Sequence, residues 1–155
     1  MSRFYFIAVL VVLGIFTLGT VFAAARIEYY VDYPSALIVL VPPIVLCFAA
    51  FPPRVIGRSF RVAFDGVTAT EGELKSAAAL FRTFERSILL SGLIGALIGV
   101  IVMLSQLASI SNVSGGFALL LVSVFYALIV TLALPVPFRA AVEHKLSQLA
   151  ESGRR

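Results

Sequence analysis

Few side chains in this sequence can take part in chemistry, and their placement narrows what the chain does. His144 is the sole histidine and stands between Glu143 and Lys145, in the pattern of a solvated helix surface. Cys47 is alone in an apolar run, so there is no disulfide framework and no metal cluster. Ser123, Tyr126 and Thr131 follow at spacings of three and five, which puts three hydroxyls on roughly one side of a helix. A Walker loop, a dinucleotide-binding glycine turn, a CxxC pair and an HExxH pair are all absent, and no nucleophile has a histidine nearby to activate it. The chain is therefore not expected to be an enzyme or to hold a metal or cofactor.

The elements that carry these residues belong in a membrane. Of the chain's 155 residues 61% are hydrophobic and 13% charged, and the mean hydropathy of +1.06 lies far outside the soluble range. Four runs lack Asp, Glu, Lys and Arg: residues 4–25, 35–51, 87–107 and 117–136. Each is long enough to cross as a helix, since about 20 residues at 1.5 Å match a hydrocarbon core of roughly 30 Å. The alternating pattern of a membrane barrel is missing. The expected fold is all-α, one membrane domain over residues 1–155 with four transmembrane helices.

Charge sets the orientation. Segment 52–86 carries Arg54, Arg58, Arg61, Lys75, Arg82 and Arg86, the tail 138–155 carries Arg139, Lys145, Arg154 and Arg155, and Arg3 precedes the first run. The two other loops, 26–34 and 108–116, hold only Arg26. The positive-inside rule then puts both termini and the middle segment in the cytoplasm. The net charge of +4 reflects this topology and contact with anionic lipid rather than nucleic-acid binding, because acidic residues are interspersed. Arg3, an apolar run and Ala23-Ala24-Ala25 mimic a signal peptide, but the run exceeds a usual secretory core and is expected to stay as the first span.

Local signals place the remaining elements. Tyr29, Tyr30 and Tyr33 in the first outer loop suit the headgroup level, and Pro34 opens the second span. Pro42 and Pro43 are expected to kink or partly unwind that span, and Phe51-Pro52-Pro53 ends it. RSFRVAFDG reads as a basic amphipathic turn against the membrane face. Thr70 and Glu73 then fit a capping box, and Leu74, Ala77, Ala78, Phe81, Phe84 and Ile88 continue as one apolar face. One helix from Glu71 to Leu107 is predicted, about 55 Å long and projecting into the cytoplasm. Its projecting face needs a partner, either the amphipathic tail helix after Phe138 or a neighbouring subunit. Pro135 and Pro137 bend or end the fourth span.

Within the third span, Ser87, Ser91, Gly95 and Gly99 recur every fourth residue, with Gly92 one turn from Gly95. Small residues at this spacing let helix backbones approach closely. No carboxylate lies in any span, so if the chain conducts ions another molecule must bring the charge.

In order along the chain, VDYPSALIVL (31–40) with Phe51-Pro52, SGLIGALIGVIVML (91–104), and FALLLVSVFYALIV followed by LPVPF resemble the second, third and fourth spans of MotA-type flagellar stator proteins in the MotA/TolQ/ExbB superfamily. The resemblance covers roughly residues 1–60 and 86–146. It implies an inner-membrane ring of five subunits around the single spans of two copies of a MotB- or ExbD-like partner whose aspartate carries the ion, driving a cytoplasmic rotor or another load. It also implies a pathway lined by Gly92, Ala96 and Gly99 on the third span and by Ser123, Val124, Tyr126 and Ala127 on the fourth. The family often has threonine at the positions of Ala96, Ser123 and Val124; only Ser123 keeps a hydroxyl, which favours protons over sodium. For Ser123 a hydroxyl bonded back to its own helix is an equal reading. Two departures stand out: Val41-Pro42 replaces a common glycine pair, and the middle cytoplasmic segment is much shorter than in flagellar stators. A non-conducting oligomeric scaffold, or a small solute transporter using Pro42-Pro43 as a broken-helix site, are the rival readings.

Overall fold

The computed structural model describes residues 32–63, 68–106 and 110–152, together with separate helical positions between 7 and 19. The span expected over 4–25 lies mostly outside the described residues. All regular elements among the described residues are helices: α1 (Tyr33–Ala50), α2 (Pro53–Ala63), α3 (Glu71–Ser105), α4 (Ile110–Ala133) and α5 (Pro135–Ser152). Three stretches are long and apolar enough to cross a membrane: α1, a window within α3, and a window within Val113–Ser152.

Helix α1 starts on Asp32, whose side chain accepts the Ser35 N–H at 2.9 Å, with Pro34 in the first turn where a missing N–H costs little. The helix then runs unbroken through Pro42 and Pro43, which corrects the expected unwinding. The prolines withdraw only their own two N–H groups from the ladder, whereas unwinding in an apolar setting strands further backbone groups without water. Ser35, Val39, Pro43 and Cys47 form the buried stripe, one residue per turn, while Leu37, Val41, Ile44, Val45, Leu46 and Phe48 face outward.

After Phe51 and Pro52 the chain turns directly into α2, a full helix where the sequence suggested only an amphipathic turn. Its arginines Arg54, Arg58 and Arg61 are exposed, while Ser59, Val62 and Ala63 are buried. Helix α3 begins with the expected capping box: Thr70 Oγ1 accepts the Glu73 N–H at 3.3 Å and Glu73 Oε2 accepts the Thr70 N–H at 2.9 Å. Its 35 residues extend about 52 Å at 1.5 Å each. Helix α4 is already formed at Ile110, so the loop expected over residues 108–116 is shorter. Leu134 alone separates α4 from α5; its N–H still bonds to Val130 O at 3.0 Å, and Pro135 opens α5 with Pro137 in the first turn.

The first half of α3 is covered within the same chain. Leu74, Ala77, Leu80 and Phe81 pack with Val62 and Ala63 of α2 and with Phe138 and Val142 of α5. Phe60, Phe81 and Phe138 meet ring to ring at 5.2–5.5 Å, with Phe60 edge-on to both of the others and the Phe81–Phe138 pair stacked. Ion pairs frame this core. Arg58 joins Glu73 at 2.9 Å, Arg139 joins Glu85 and Glu143 at 2.9 Å each, and Arg82 reaches Glu143 at 3.3 Å. Lys145 Nζ donates to Val62 O at 2.7 Å, closing the carboxyl end of α2.

Two outcomes follow at this charged end. Phe81→Ala removes the ring shared by α2, α3 and α5 and lowers stability by about 3–5 kcal/mol, read as a fall in melting temperature of the detergent-solubilised protein. The hydrogen bond from Arg139 holds the Glu143 carboxyl below its ordinary range. A depressed carboxylate stabilises above its unfolded value, about pH 4.3, and that contribution is lost as pH falls through the lower folded value. The melting temperature drops on acidification from pH 6 to pH 3, and Glu143→Gln flattens part of that drop.

Candidate functional site

The candidate site lies where α3 and α4 touch backbone to backbone and α1 begins beside them. A Cβ added at Gly99 would stand 2.6 Å from Leu120 N and 2.7 Å from Gly116 O, and one at Gly116 would stand 2.6 Å from Met103 N. A Cβ at Gly95 would sit 2.6 Å from Ser123 Oγ, and one at Gly92 would collide with the Ala127 methyl. These glycines serve by having no side chain, since real Cβ atoms do not approach so closely. The two roles read from the sequence therefore fall on one seam. Gly95, Gly99 and Ser91 are buried as packing residues, while Ser87 is half-buried with its hydroxyl on Thr83 O at 2.8 Å. Gly92, Gly99, Ser123 and Ala127 come together inside the same seam; Ala96 is half-buried and Val124 is exposed.

A hydroxyl cluster lies across this seam. Ser123 is fully buried, and its Oγ donates to Ser35 Oγ at 3.1 Å rather than back to its own helix. Ser35, also fully buried, donates to Leu119 O at 3.4 Å. The Tyr126 hydroxyl accepts the Asp32 N–H at 3.1 Å. One turn beyond Ala127, the Thr131 hydroxyl is buried with no hydrogen-bond partner among the described residues. Below the cluster Val39, Ile88 and Ala127 close the three-helix contact, with Phe84, Tyr126 and Val130 packed around them.

Asp32 has a role that the sequence reading did not assign. Its N–H meets the Tyr126 hydroxyl, and Ser35, three residues on, meets Leu119 O and Ser123, so α1 begins alongside α4. Asp32 is thus half-buried, its carboxylate capping α1 and its N–H tied to α4. The signal available was the N-cap pattern, Asp followed by Pro34 and Ser35, which marks a helix start one residue earlier than Pro34 alone. Its contact with Tyr126 depends on how far α1 is slid along α4, which local sequence does not encode.

A profile of the MotA/TolQ/ExbB proton channel family matches residues 58–154, the stretch that contains the α3–α4 seam and the charged end. The chain belongs to the MotA/TolQ/ExbB family. No individual curated protein matches it. Family members are membrane proteins that form oligomeric channels with partner proteins, and the family is not an enzymatic one. The matched region begins at Arg58, so Asp32 and α1 are features of this chain beyond the family match.

The seam makes a sharp contrast testable. A methyl added at Gly115 would meet open space, whereas one at its neighbour Gly116 would run into Met103. Gly116→Ala should cost about 1–3 kcal/mol through overpacking. Gly115→Ala, by removing a helix glycine, should be neutral or stabilising by up to about 1 kcal/mol. Paired thermal melts in detergent read the difference.

Proposed function

We propose that this chain is the channel-forming, stator-type subunit of an ion-driven motor complex in the inner membrane, with both termini cytoplasmic. Five copies surround a single-span MotB/ExbD-like partner whose aspartate carries a proton. The observation that carries this reading is the hydroxyl and carboxylate cluster of Asp32, Ser35, Ser123 and Tyr126, set in a bundle whose other buried groups are apolar or small. Family membership supports the general channel role.

A lone carboxylate at the bilayer centre costs about 2.5–3.5 kcal/mol on insertion scales. Hydroxyls that both donate and accept lower that cost by holding water and bonding either protonation state of the partner's acid. Gly92, Gly99 and Ala127 hold α3 on α4. Ser123, Tyr126 and Asp32 offer polar groups, and Ala96 and Val124 flank them with small or open surface. With a hydroxyl at only one of the three positions where relatives often carry threonine, proton transfer through water suits the site better than stripping and coordinating sodium. Each proton moved inward releases about 2.3 kcal/mol per 100 mV, enough to bias a step of the ring around its partner. The load is a flagellar rotor or another machine, met through the charged end. The transporter alternative loses its support, because α1 is continuous through Pro42 and Pro43.

The test is proton flux into vesicles holding the chain with its co-purified single-span partner. Asp32→Asn keeps the cap but removes the charge and should lower flux at least tenfold, as should Tyr126→Phe, while Asp32→Glu retains most of it. Wild-type flux in Asp32→Asn would remove Asp32 from the pathway. A complex that passes no protons in its wild-type form is a scaffold.

A further inference from the structure

The proposed pathway leaves one buried hydroxyl unused. Thr131 is only 9% exposed, and its Oγ1 has no hydrogen-bond partner among the described residues. It follows Ser123 and Ala127 at intervals of four on α4, and Pro135 comes four residues later; all four are buried. Pro135 has no N–H, so the Thr131 carbonyl also loses the donor that a continuous helix would supply. A hydroxyl and a carbonyl, each short of its usual partner, thus stand together where α4 meets α5. Buried polar groups of this kind are met by water, which needs about two to four such partners.

The register of the α3–α4 seam says what lies beside this pair. Gly99 meets Leu120, Gly95 meets Ser123 and Gly92 meets Ala127, so the two helices step past one another in opposite directions, turn for turn. The next step brings Thr131 level with Ile88, which is fully buried and packs with Ala127. One step further along α3 is Glu85, about 4.5 Å of rise from Ile88. Its Oε2 accepts from Arg139 Nη1 at 2.9 Å, and Arg139 Nε donates to Glu143 at 2.9 Å. Glu85, Val136, Arg139 and Glu143 line a surface cleft of about 180 Å³, and the Glu85 side chain is 22% exposed. Ser123, Thr131 and Glu85 therefore lead in order from the inside of the seam to a cleft at the charged end.

We infer that Thr131 binds a water molecule, and that this water hands protons from the seam to the carboxylate of Glu85, the acid at which they leave the bundle. The water takes a proton from the acid that carries it in the seam and gives one to Glu85, so it is not consumed. Glu85 becomes neutral and releases Arg139, whose guanidinium keeps Glu143 as its counter-charge and is not left bare. Loss of the proton into the cleft restores the Glu85 charge and its ion pair. The water site follows from Thr131 and Pro135 alone, whereas the relay rests on the ion-conducting reading of the seam.

Proton flux into vesicles holding the chain with its co-purified single-span partner, measured beside thermal melts of the same variants, tests both parts. Thr131→Val removes the hydroxyl at nearly constant shape and should lower flux by about tenfold, while Thr131→Ser keeps most of it. Glu85→Gln should cause a similar fall, and the double variant no more than the larger single loss, because both groups serve one route. Arg139→Gln breaks the same ion pair but leaves the acid, and should keep most of the flux. Replacing a bare buried hydroxyl by a methyl group stabilises, so with water bound there Thr131→Val should melt no higher than wild type. In a conducting wild type, three results overturn the proposal and leave the channel reading standing. They are a higher melting temperature in Thr131→Val, undiminished flux in Thr131→Val or Glu85→Gln, and an equal loss in Arg139→Gln. A wild-type complex that passes no protons removes the channel reading itself, and the relay with it.

Discussion

The approach of α3 to α4 is the constraint on which the rest of the bundle depends. Inside a bilayer the lipid tails are as apolar as leucine, so helices gain little from burying hydrophobic side chains and must instead bring backbones close. Gly92, Gly95, Gly99 and Gly116 allow this, and each is set against a named atom of the facing helix. Because the fit is made of backbone against backbone, it fixes the slide of α4 along α3 more tightly than interdigitating leucines would. That slide puts Ser123 opposite Gly95, where its hydroxyl reaches across to Ser35 of α1. The large apolar residues are displaced to the outside: Leu93, Ile94, Leu97 and Ile101 on α3 and Leu121, Leu128 and Leu132 on α4 remain exposed, available to lipid or to neighbouring copies.

At the charged end a different force operates. The seam of glycines gives way to phenylalanines framed by ion pairs, the packing in which buried apolar area stabilises as in a water-soluble core. Phe60, Phe81 and Phe138 each come from a different helix, and the ion pairs around them are partly exposed and serve mainly to set register. One helix, α3, runs through both regimes. A displacement of the seam is therefore carried rigidly to the aromatic core, because no break in α3 is present to absorb it.

The sequence was legible where the signal is local. The capping box at Thr70 and Glu73, the long third helix, the small-residue face and the apolar partner face of its first half all depend on residues within a few turns of one another. Four features were not. Pro52-Pro53 reads as a stop, but Pro53 also suits the first position of a new helix, and α2 follows it. Pro42-Pro43 reads as a kink or a partial unwinding; the helix does not unwind there, because the cost of exposing more backbone in an apolar setting outweighs two lost hydrogen bonds. Ser111, Asn112, Gly115 and Gly116 read as loop, yet belong to α4 because Gly116 is needed against Met103. Asp32 stands just outside α1, as read, but its contact with Tyr126 depends on how α1 packs on α4, and no window of one sequence contains that.

The capping of α1 by Asp32 also ties structure to chemistry. A helix start leaves N–H groups without partners in their own helix, and each left bare in an apolar setting costs free energy. The chain answers with few groups. Pro34 has no N–H, Ser35 N–H goes to the Asp32 carboxylate, Ala36 N–H goes to Asp32 O at 3.0 Å, and Asp32 N–H goes to the Tyr126 hydroxyl. The positive end of the α1 dipole in turn complements the carboxylate that caps it. An acidic group is thus accommodated by groups the helix start requires in any case. This is why the polar cluster is found where α1 begins and not elsewhere along α3 and α4: the backbone needs acceptors at that point, and the proposed pathway draws on the same groups.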